Sequence, residues 1–286
     1  MHNLTAIVWL YRGQKERFLA LVKEYLNRVC VESAAVPGTL SPFEATLADL
    51  RARFDVLAKA VVEHAHLETE KKQPLADAVT ELRETQNLYE ADAKTLLKNL
   101  SAFDKKYAKA LPEKNDAQHA ACKAFDPIAE ALRGLIKQVD LLYKLAARIA
   151  DLGAEWSADE VIAEVYDRRA TGKLLKQLDE ERKAAVEQLK HAVYFHRQVA
   201  WLQDRFPKGE LQPVPGLVKL VDRKEIEAAD WSLTPGRYVG VTPPEEDEDF
   251  DFEQTLRDIH TELADLNKEA VELAAKIQDN FEELGA

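Results

Sequence analysis

Two cysteines and seven histidines are the residues of this chain best suited to nucleophilic or metal chemistry. Cys30 and Cys122 form no Cys-x-x-Cys pair and stand at no Cys/His spacing typical of a zinc site. Without such spacing, the sequence supports neither a disulfide framework nor a zinc site. Both thiols are therefore predicted to be reduced residues of the core.

The histidines are also poorly spaced for ligation along a single helix. His64 and His66 lie two residues apart on a predicted helix and so face different directions, and His191 and His196 lie five residues apart. Zinc-binding pairs on one helix are four residues apart. Spacing alone thus predicts no metal-binding or catalytic pair, and leaves open a site that is assembled only when the chain folds.

Three cations surround a glycine in the segment Asp167-Arg168-Arg169-Ala170-Thr171-Gly172-Lys173. Arg168, Arg169 and Lys173 are suited to contact phosphate groups, such as those of DNA. The segment is not a P-loop, because the upstream glycine and the preceding strand are missing. It is predicted to interrupt the chain before a long helix from Leu174 to Phe206. Two roles stay open for it, phosphate contact and a solvated helix junction.

The overall charge limits how much of the surface can bind nucleic acid. The formal net charge is −12 and the isoelectric point is about 5.2, which argues against an extended basic footprint but not against a local basic patch. Apolar runs fall far short of the ~20 residues that span a bilayer, and the N-terminus lacks the features of a signal peptide. A cytoplasmic protein with no membrane partner is predicted.

Hydrophobic periodicity predicts a mainly α protein built from long helices. A first helix is predicted from Leu4 to Val31, with a break at Gly13. Val36-Pro37-Gly38 has the chemistry of a turn. Ser41-Pro42-Phe43-Glu44 combines an N-cap, a proline at the first helical position and a glutamate at the third. A second helix is therefore predicted to begin there and to run to about Leu67.

Two coiled-coil-like seams follow, in which apolar residues alternate by threes and fours. The helix that carries the first seam is predicted to begin at Pro74. The helix that carries the second seam is predicted to begin at Asp126-Pro127 and to end at Gly153. Two such seams in succession predict an antiparallel helical hairpin, either projecting from the protein or forming an ordinary bundle core. If the two helices pair, removal of residues 70–153 should leave the ends folded. The seam positions are Leu75, Val79, Leu82, Gln86, Tyr89, Ala93, Leu96, Leu100, Phe103 and Tyr107, then Ile128, Leu132, Leu135, Val139, Leu142, Ala146 and Ile149.

The C-terminal third departs from this pattern. Leu217–Val221 is predicted to be a strand that pairs with Tyr238–Val241, giving a small two-stranded element near residues 217–241. The acidic run Glu245–Asp249 is predicted to be a linker. A final helix carries a heptad seam that needs a partner, inside or outside this chain. Its partner-binding positions are Leu256, Ile259, Leu263, Leu266, Leu273 and Ile277.

The least generic stretch of the chain lies between these two parts. Thr234-Pro235-Gly236 predicts a turn, in which Gly236 adopts a positive φ, before Arg237 and Tyr238. The run Leu233–Val239 resembles a motif near the end of the modification (M) subunit of type I restriction-modification systems, which are adenine-N6 DNA methyltransferases. The family has Asn where this chain has Thr234. Asn3–Gly13 is similar to the segment that follows the catalytic domain in that family.

The resemblance implies a non-catalytic C-terminal interaction region of such a subunit. In that family the last helix docks on the coiled coils of the specificity subunit, in an assembly with a second modification subunit and DNA. S-adenosylmethionine belongs to the full-length subunit. This sequence has neither the Gly-rich loop after a strand nor the Asn/Asp-Pro-Pro-aromatic tetrapeptide, since Thr242-Pro243-Pro244-Glu245 keeps only the prolines. The chain alone is therefore predicted to be inactive and to bind no cofactor. The alternative is a stand-alone helical coiled-coil scaffold.

Four segments are predicted from these patterns. Residues 1–32 form an N-terminal helix, and residues 33–170 form a helical extension that contains the hairpin and has no counterpart in the family. Residues 171–244 hold the long helix and the Pro-Gly-Arg-Tyr motif. Residues 245–286 hold the acidic linker and the heptad helix.

Overall fold

The computed structural model describes residues 2–64, 69–156 and 159–241, and within these ranges the chain forms eight helices and no strand. The prediction of a mainly α fold is confirmed. None of the described helices is both long enough and apolar enough to cross a membrane. The chain divides into two compact units, residues 1–212 and residues from 213 onward.

The first two helices are α1 (His2–Tyr11) and α2 (Lys15–Glu63). The predicted break at Gly13 is confirmed, and this glycine has a φ of +68°, which is accessible without strain only to a residue lacking Cβ. The predicted turn at residues 36–38 and the predicted helix start at residues 41–44 are wrong. α2 continues through both sites for 49 residues, with Pro37 and Pro42 in its interior.

Tertiary burial explains why α2 continues across its prolines. An interior proline removes a backbone hydrogen bond and costs a helix about 3 kcal/mol. On either side of these prolines, Val36, Leu40 and Phe43 are at most 1% exposed. Burying such side chains contributes about 1.5–3 kcal/mol each. The free energy gained by burying these apolar side chains therefore exceeds the cost of keeping the two prolines inside the helix.

The two seams lie on α3 (Thr69–Tyr107) and α4 (Asn115–Glu155). Every predicted position of both seams is buried. The predicted helix starts are wrong, because α3 begins five residues before Pro74 and α4 begins at Asn115 and continues through Asp126 and Pro127. Phe125, Ile128 and Ala129 beside that proline are buried, so the same competition between burial and proline applies.

The long helices pack into one bundle rather than a body with a projecting arm. α3 and α4 pack against each other as predicted, but α3 also packs on α2, and α4 packs on α2 and on α6 (Arg168–Arg205). Removing residues 70–153 would therefore uncover apolar faces of α2 and α6, contrary to the expectation for a projecting hairpin. The proposed divisions after residues 32 and 170 fall inside α2 and α6, which are continuous there.

A short helix, α5 (Glu160–Ala163), precedes α6. The predicted interruption at residues 167–173 is wrong, because α6 begins at Arg168. Asp167 is its N-cap, and its carboxylate accepts hydrogen bonds from the backbone N–H groups of Arg169 and Ala170 at 2.9 Å each. A capped N-terminus satisfies two of the N–H groups that a helix start leaves unpaired.

The second unit is described over residues 213–241. Its helices are α7 (Arg223–Ala228), which Asp222 and Glu225 cap reciprocally, and α8 (Gly236–Val239). The predicted two-stranded element is wrong: Val214 and Val218 form an isolated antiparallel bridge, and Tyr238 and Val239 lie in α8. The strand propensity of these residues does not produce a sheet here, because no strand within the described residues lies next to them for pairing.

Candidate functional site

The motif residues Pro235, Gly236, Arg237 and Tyr238 open α8 and do not form the predicted turn with a left-handed glycine. Pro235 is helical (φ −55°, ψ −39°) and Gly236 is the first residue of α8. The left-handed positions lie earlier, at Asp230 and Trp231, both with φ of 56°. The chain therefore changes direction before the motif, and the motif begins the next helical turn.

Hydrogen bonds from the motif hold the segment together. The Tyr238 hydroxyl donates to the backbone carbonyl of Ser232, and the Arg237 guanidinium donates to the carbonyl of Ala229 at 3.4 Å. The N–H of Gly216 donates to the carbonyl of Val239 at 2.7 Å. These bonds tie both flanks of α7 to α8, so the motif has a local structural role.

The same segment encloses no core of its own. No residue between 213 and 241 is buried. Trp231 is 55% exposed and Leu233 is 77% exposed, and Arg223 lies over the Trp231 ring at 5.6 Å from its centroid. Large exposed apolar side chains on an ordered backbone are typical of a surface that binds another protein.

The predicted partner-binding seam lies outside the described residues. It comprises Leu256, Ile259, Leu263, Leu266, Leu273 and Ile277. Its role as a docking surface stays a prediction.

The predicted phosphate-contacting residues lie at the N-terminal end of α6. Arg168, Arg169, Lys173 and Lys176 are exposed and line a shallow depression of about 530 Å³ beside Gly172. Within the described residues, these four side chains form no salt bridge. The N-terminus of a helix carries a partial positive charge. Arg168 and Arg169 lie in the first turn of α6, next to the N-cap Asp167. The exposed cations that line the depression can attract an anion from outside the chain.

A third cluster, which sequence analysis missed, lies between α4 and α6. The Nε2 atom of His196 is 3.0 Å from Asp126 Oδ1 and 3.7 Å from Cys122 Sγ. Cys122 and His196 are buried, and the Asp126 side chain is 59% exposed. Phe125 packs against the His196 ring with a centroid distance of 5.2 Å. We call Cys122, Asp126 and His196 the Cys-Asp-His cluster.

Burial controls the protonation of this cluster. Burial lowers the pKa of His196, although the adjacent Asp126 carboxylate opposes this effect. The imidazole is therefore neutral at neutral pH. Its Nε2 faces two acceptors, the Asp126 carboxylate and the carbonyl of Cys122 at 3.3 Å. Nε2 consequently carries the hydrogen, and Nδ1, which has no partner in the structure, is the unprotonated nitrogen. Burial raises the pKa of the Cys122 thiol to about 12, so this thiol is a poor nucleophile.

The sequence would have shown Cys122 and Asp126 as neighbours if the predicted helix had included both residues. Cys122 and Asp126 are four residues apart, so they share one face only if the helix continues through Pro127. The predicted helix start at Asp126-Pro127 placed Cys122 outside the helix. His196 is 74 residues from Cys122, and no spacing rule links residues at that distance. The prediction that both cysteines are core residues is confirmed, since Cys30 and Cys122 are buried.

No protein-family model, curated protein or solved structure matches the chain.

Proposed function

We propose that this chain is the non-catalytic C-terminal interaction region of a type I restriction-modification DNA adenine methyltransferase subunit, acting in the cytoplasm. In this role it docks on the specificity subunit and helps to hold DNA during N6-adenine methylation. The observation that carries the proposal is that the second unit has an ordered backbone but leaves large apolar side chains exposed. Hydrogen bonds from Arg237 and Tyr238 order residues 213–241, yet Trp231 and Leu233 stay more than half exposed.

The exposed side chains favour a protein partner. Trp is enriched in the centres of protein interfaces, where it buries a large area with little loss of side-chain entropy. The motif fixes the backbone on both sides of Trp231, so less ordering is needed on binding. The family resemblance points to the helical regions of the specificity subunit as the partner. The predicted heptad seam of residues 256–277 would extend the same interface, with a second modification subunit in the assembly.

The basic residues at the start of α6 supply the second part of the proposal. Arg168, Arg169 and Lys173 line one depression in a chain with a net charge of −12. Phosphate groups of DNA are anions that suit these side chains. The methyl donor, S-adenosylmethionine, would be held by the catalytic part of the full-length subunit, because the sequence of this chain has none of its binding motifs.

Co-expression with the specificity subunit tests the docking. We expect the wild-type chain to co-purify with that subunit, and we expect replacement of Leu263 and Leu266 by Glu to abolish co-purification with little change in the chain's own melting temperature. Trp231→Ala together with Leu233→Ala should weaken the complex in the same way.

Leu88→Glu is the matched control, because Leu88 is 66% exposed on α3 and lies outside the proposed interface. This control should co-purify normally. If the Leu263 and Leu266 variant unfolds, and the complex is lost only as a consequence, the seam belongs to the chain's own core and the docking assignment is wrong.

A stand-alone helical scaffold is the second candidate. It is favoured by residues 1–212, which form a compact unit with a core of their own. The genomic sequence immediately upstream separates the two candidates. An in-frame Asn-Pro-Pro-Phe-type motif there would support the methyltransferase subunit, and an unrelated upstream reading frame would favour the scaffold.

A further inference from the structure

We infer that the Cys-Asp-His cluster is a transition-metal site that links α4 to α6, with Zn²⁺ as the ion that suits it best. Cys122 and Asp126 come from α4 and His196 comes from α6. The three ligand atoms all lie within 4.8 Å of one another. A thiolate, an imidazole and a carboxylate are together a ligand set typical of zinc, whose borderline character accepts sulfur, nitrogen and oxygen.

Two of the three distances between ligand atoms fit a metal ion with little movement, and the third, from Sγ to Oδ1, is at most 4.8 Å and shortens as the Asp126 side chain rotates. In four-coordinate zinc with bonds of about 2.0–2.3 Å, neighbouring ligand atoms lie roughly 3.3–3.6 Å apart. The Nε2 to Sγ distance is 3.7 Å and the Nε2 to Oδ1 distance is 3.0 Å. One distance must shorten and the other must lengthen, each by a few tenths of an ångström. Rotation of the exposed Asp126 side chain supplies the larger change, because it is the least confined of the three.

The arrangement also leaves a way in for the ion. Cys122 and His196 are 4% and 6% exposed, whereas the Asp126 side chain is 59% exposed and faces solvent. An ion would enter past Asp126, and water would complete the fourth position. Three protein ligands and a water molecule are the pattern of an open zinc site rather than of a closed structural one.

Binding requires two proton movements. The Cys122 thiol releases its proton to solvent as the metal–sulfur bond forms, and the hydrogen on His196 Nε2 moves to Nδ1 so that Nε2 can donate its electron pair to the metal. Nδ1 has no hydrogen-bond partner in the structure. Metal-bound histidines usually donate this second N–H to an acceptor, so we expect weaker binding here than at a closed four-cysteine site.

The charges around the cluster are mixed and nearly balanced. The carboxylates of Asp126 and Asp204 raise the pKa of the Cys122 thiol, and the Lys123 ammonium lowers it. The Arg133 guanidinium lowers the pKa of His196. Arg133 is also paired with Glu130 at 3.0 Å. Once the thiolate has formed, Cys122 and Asp126 carry two negative charges, which a divalent cation neutralises.

Titration of the metal-free full-length chain with Co²⁺ tests the inference, because a thiolate-bound cobalt ion gives a charge-transfer band in the near ultraviolet. We expect one Co²⁺ per chain, displacement of the band by Zn²⁺, and a higher melting temperature with Zn²⁺. Cys122→Ser should abolish the band. His196→Gln and Asp126→Asn should weaken binding at least about tenfold.

Two variants provide matched controls. Cys30→Ser removes the other buried thiol, and His191→Gln removes an exposed histidine from the same helix as His196. Both should bind Co²⁺ as the wild type does. A folded wild-type chain without a charge-transfer band would overturn the inference, and so would a band that survives Cys122→Ser but not Cys30→Ser. Should Cys122→Ser fail to fold, the exposed Asp126→Asn variant still decides: unchanged cobalt affinity would overturn the three-ligand site.

Discussion

Residues 2–212 and residues 213–241 obtain their order by different means. In the first region, large side chains such as Phe54 and Phe125 are fully buried between long helices. In the second region no described residue is buried, and one capping box, turns and the hydrogen bonds of Arg237 and Tyr238 hold the backbone. The first region can account for its own stability by apolar burial. The second has apolar side chains left over, and this surplus supports its proposed role in binding a partner.

The largest expected effect tests this contrast directly. Phe54→Ala should lower the free energy of unfolding by about 3–5 kcal/mol, because it leaves a cavity in the bundle core. Trp231→Ala should change it by less than about 0.5 kcal/mol, because Trp231 is mostly exposed. Urea denaturation followed by circular dichroism measures both values. A loss at Trp231 as large as that at Phe54 would show that the second unit has a core after all.

A smaller effect tests whether the bundle also has an outward-facing role. Replacing Arg168, Arg169 and Lys173 by Gln should reduce DNA affinity and lower the salt dependence of binding by about 0.9 per lost phosphate contact. Fluorescence anisotropy of a DNA duplex, measured over a range of salt concentrations with the chain bound to the specificity subunit, gives both quantities.

Neutralising the exposed residues Lys98, Lys105 and Lys109 removes the same charge from α3 and the loop after it. This control should leave the salt dependence unchanged. Equal losses in both variants would mean that the DNA senses only the net charge, and the cluster on α6 would have no specific role.

The smallest expected effect concerns a polar link inside the bundle. Arg182 on α6 contacts Asp140 of α4 at 2.6 Å and Asp179 at 2.7 Å, and lies over the Tyr143 ring. Burial favours the neutral form of Asp179, but hydrogen bonds from Lys183 and Arg182 outweigh it and lower the pKa of this carboxyl. A lowered pKa stabilises the fold above the unfolded-state value of about 3.9, and this contribution disappears as the pH falls below it.

Asp179→Asn should therefore cost about 1 kcal/mol near neutral pH. The gap between this variant and the wild type should narrow as the pH falls below the unfolded-state value of about 3.9 and through the lowered pKa of Asp179. Urea midpoints measured across this range test the prediction. Asp77→Asn on α3 is a control, because Asp77 accepts a hydrogen bond from the neutral side chain of Gln73 rather than from a cation. A gap that stays constant with pH would show that the charge of Asp179 has no part in the effect.

Prediction from the sequence was correct where one physical effect acts alone. The threes-and-fours period of α3 and α4 predicted every seam position, because burial follows helical geometry directly. It failed where two effects compete. Pro37, Pro42 and Pro127 each have the local chemistry of a helix boundary, yet each lies inside a helix whose neighbouring apolar residues are buried. Local propensity cannot show how much surface a helix will bury against distant segments.

The sequence groups the residues of a candidate site only where they lie close together along the chain. Arg168, Arg169 and Lys173 were predicted as a group because they are close in sequence, although their predicted loop is the start of α6. The Cys-Asp-His cluster could not be predicted from one chain, since its two halves meet only through the packing of α4 on α6. For the motif, the predicted turn type was wrong because Asp230 and Trp231 take the left-handed conformation instead of Gly236.

The unbroken course of α2 sets a length scale for anything that binds along it. Its 49 residues rise about 1.5 Å each and give a rod roughly 74 Å long. B-form DNA advances about 3.4 Å per base pair, so the rod equals roughly 22 base pairs, or about two helical turns. A straight helix of this length separates its two ends by about two turns of duplex. Had the chain reversed at Pro37, as its local chemistry predicted, that reach would be about halved.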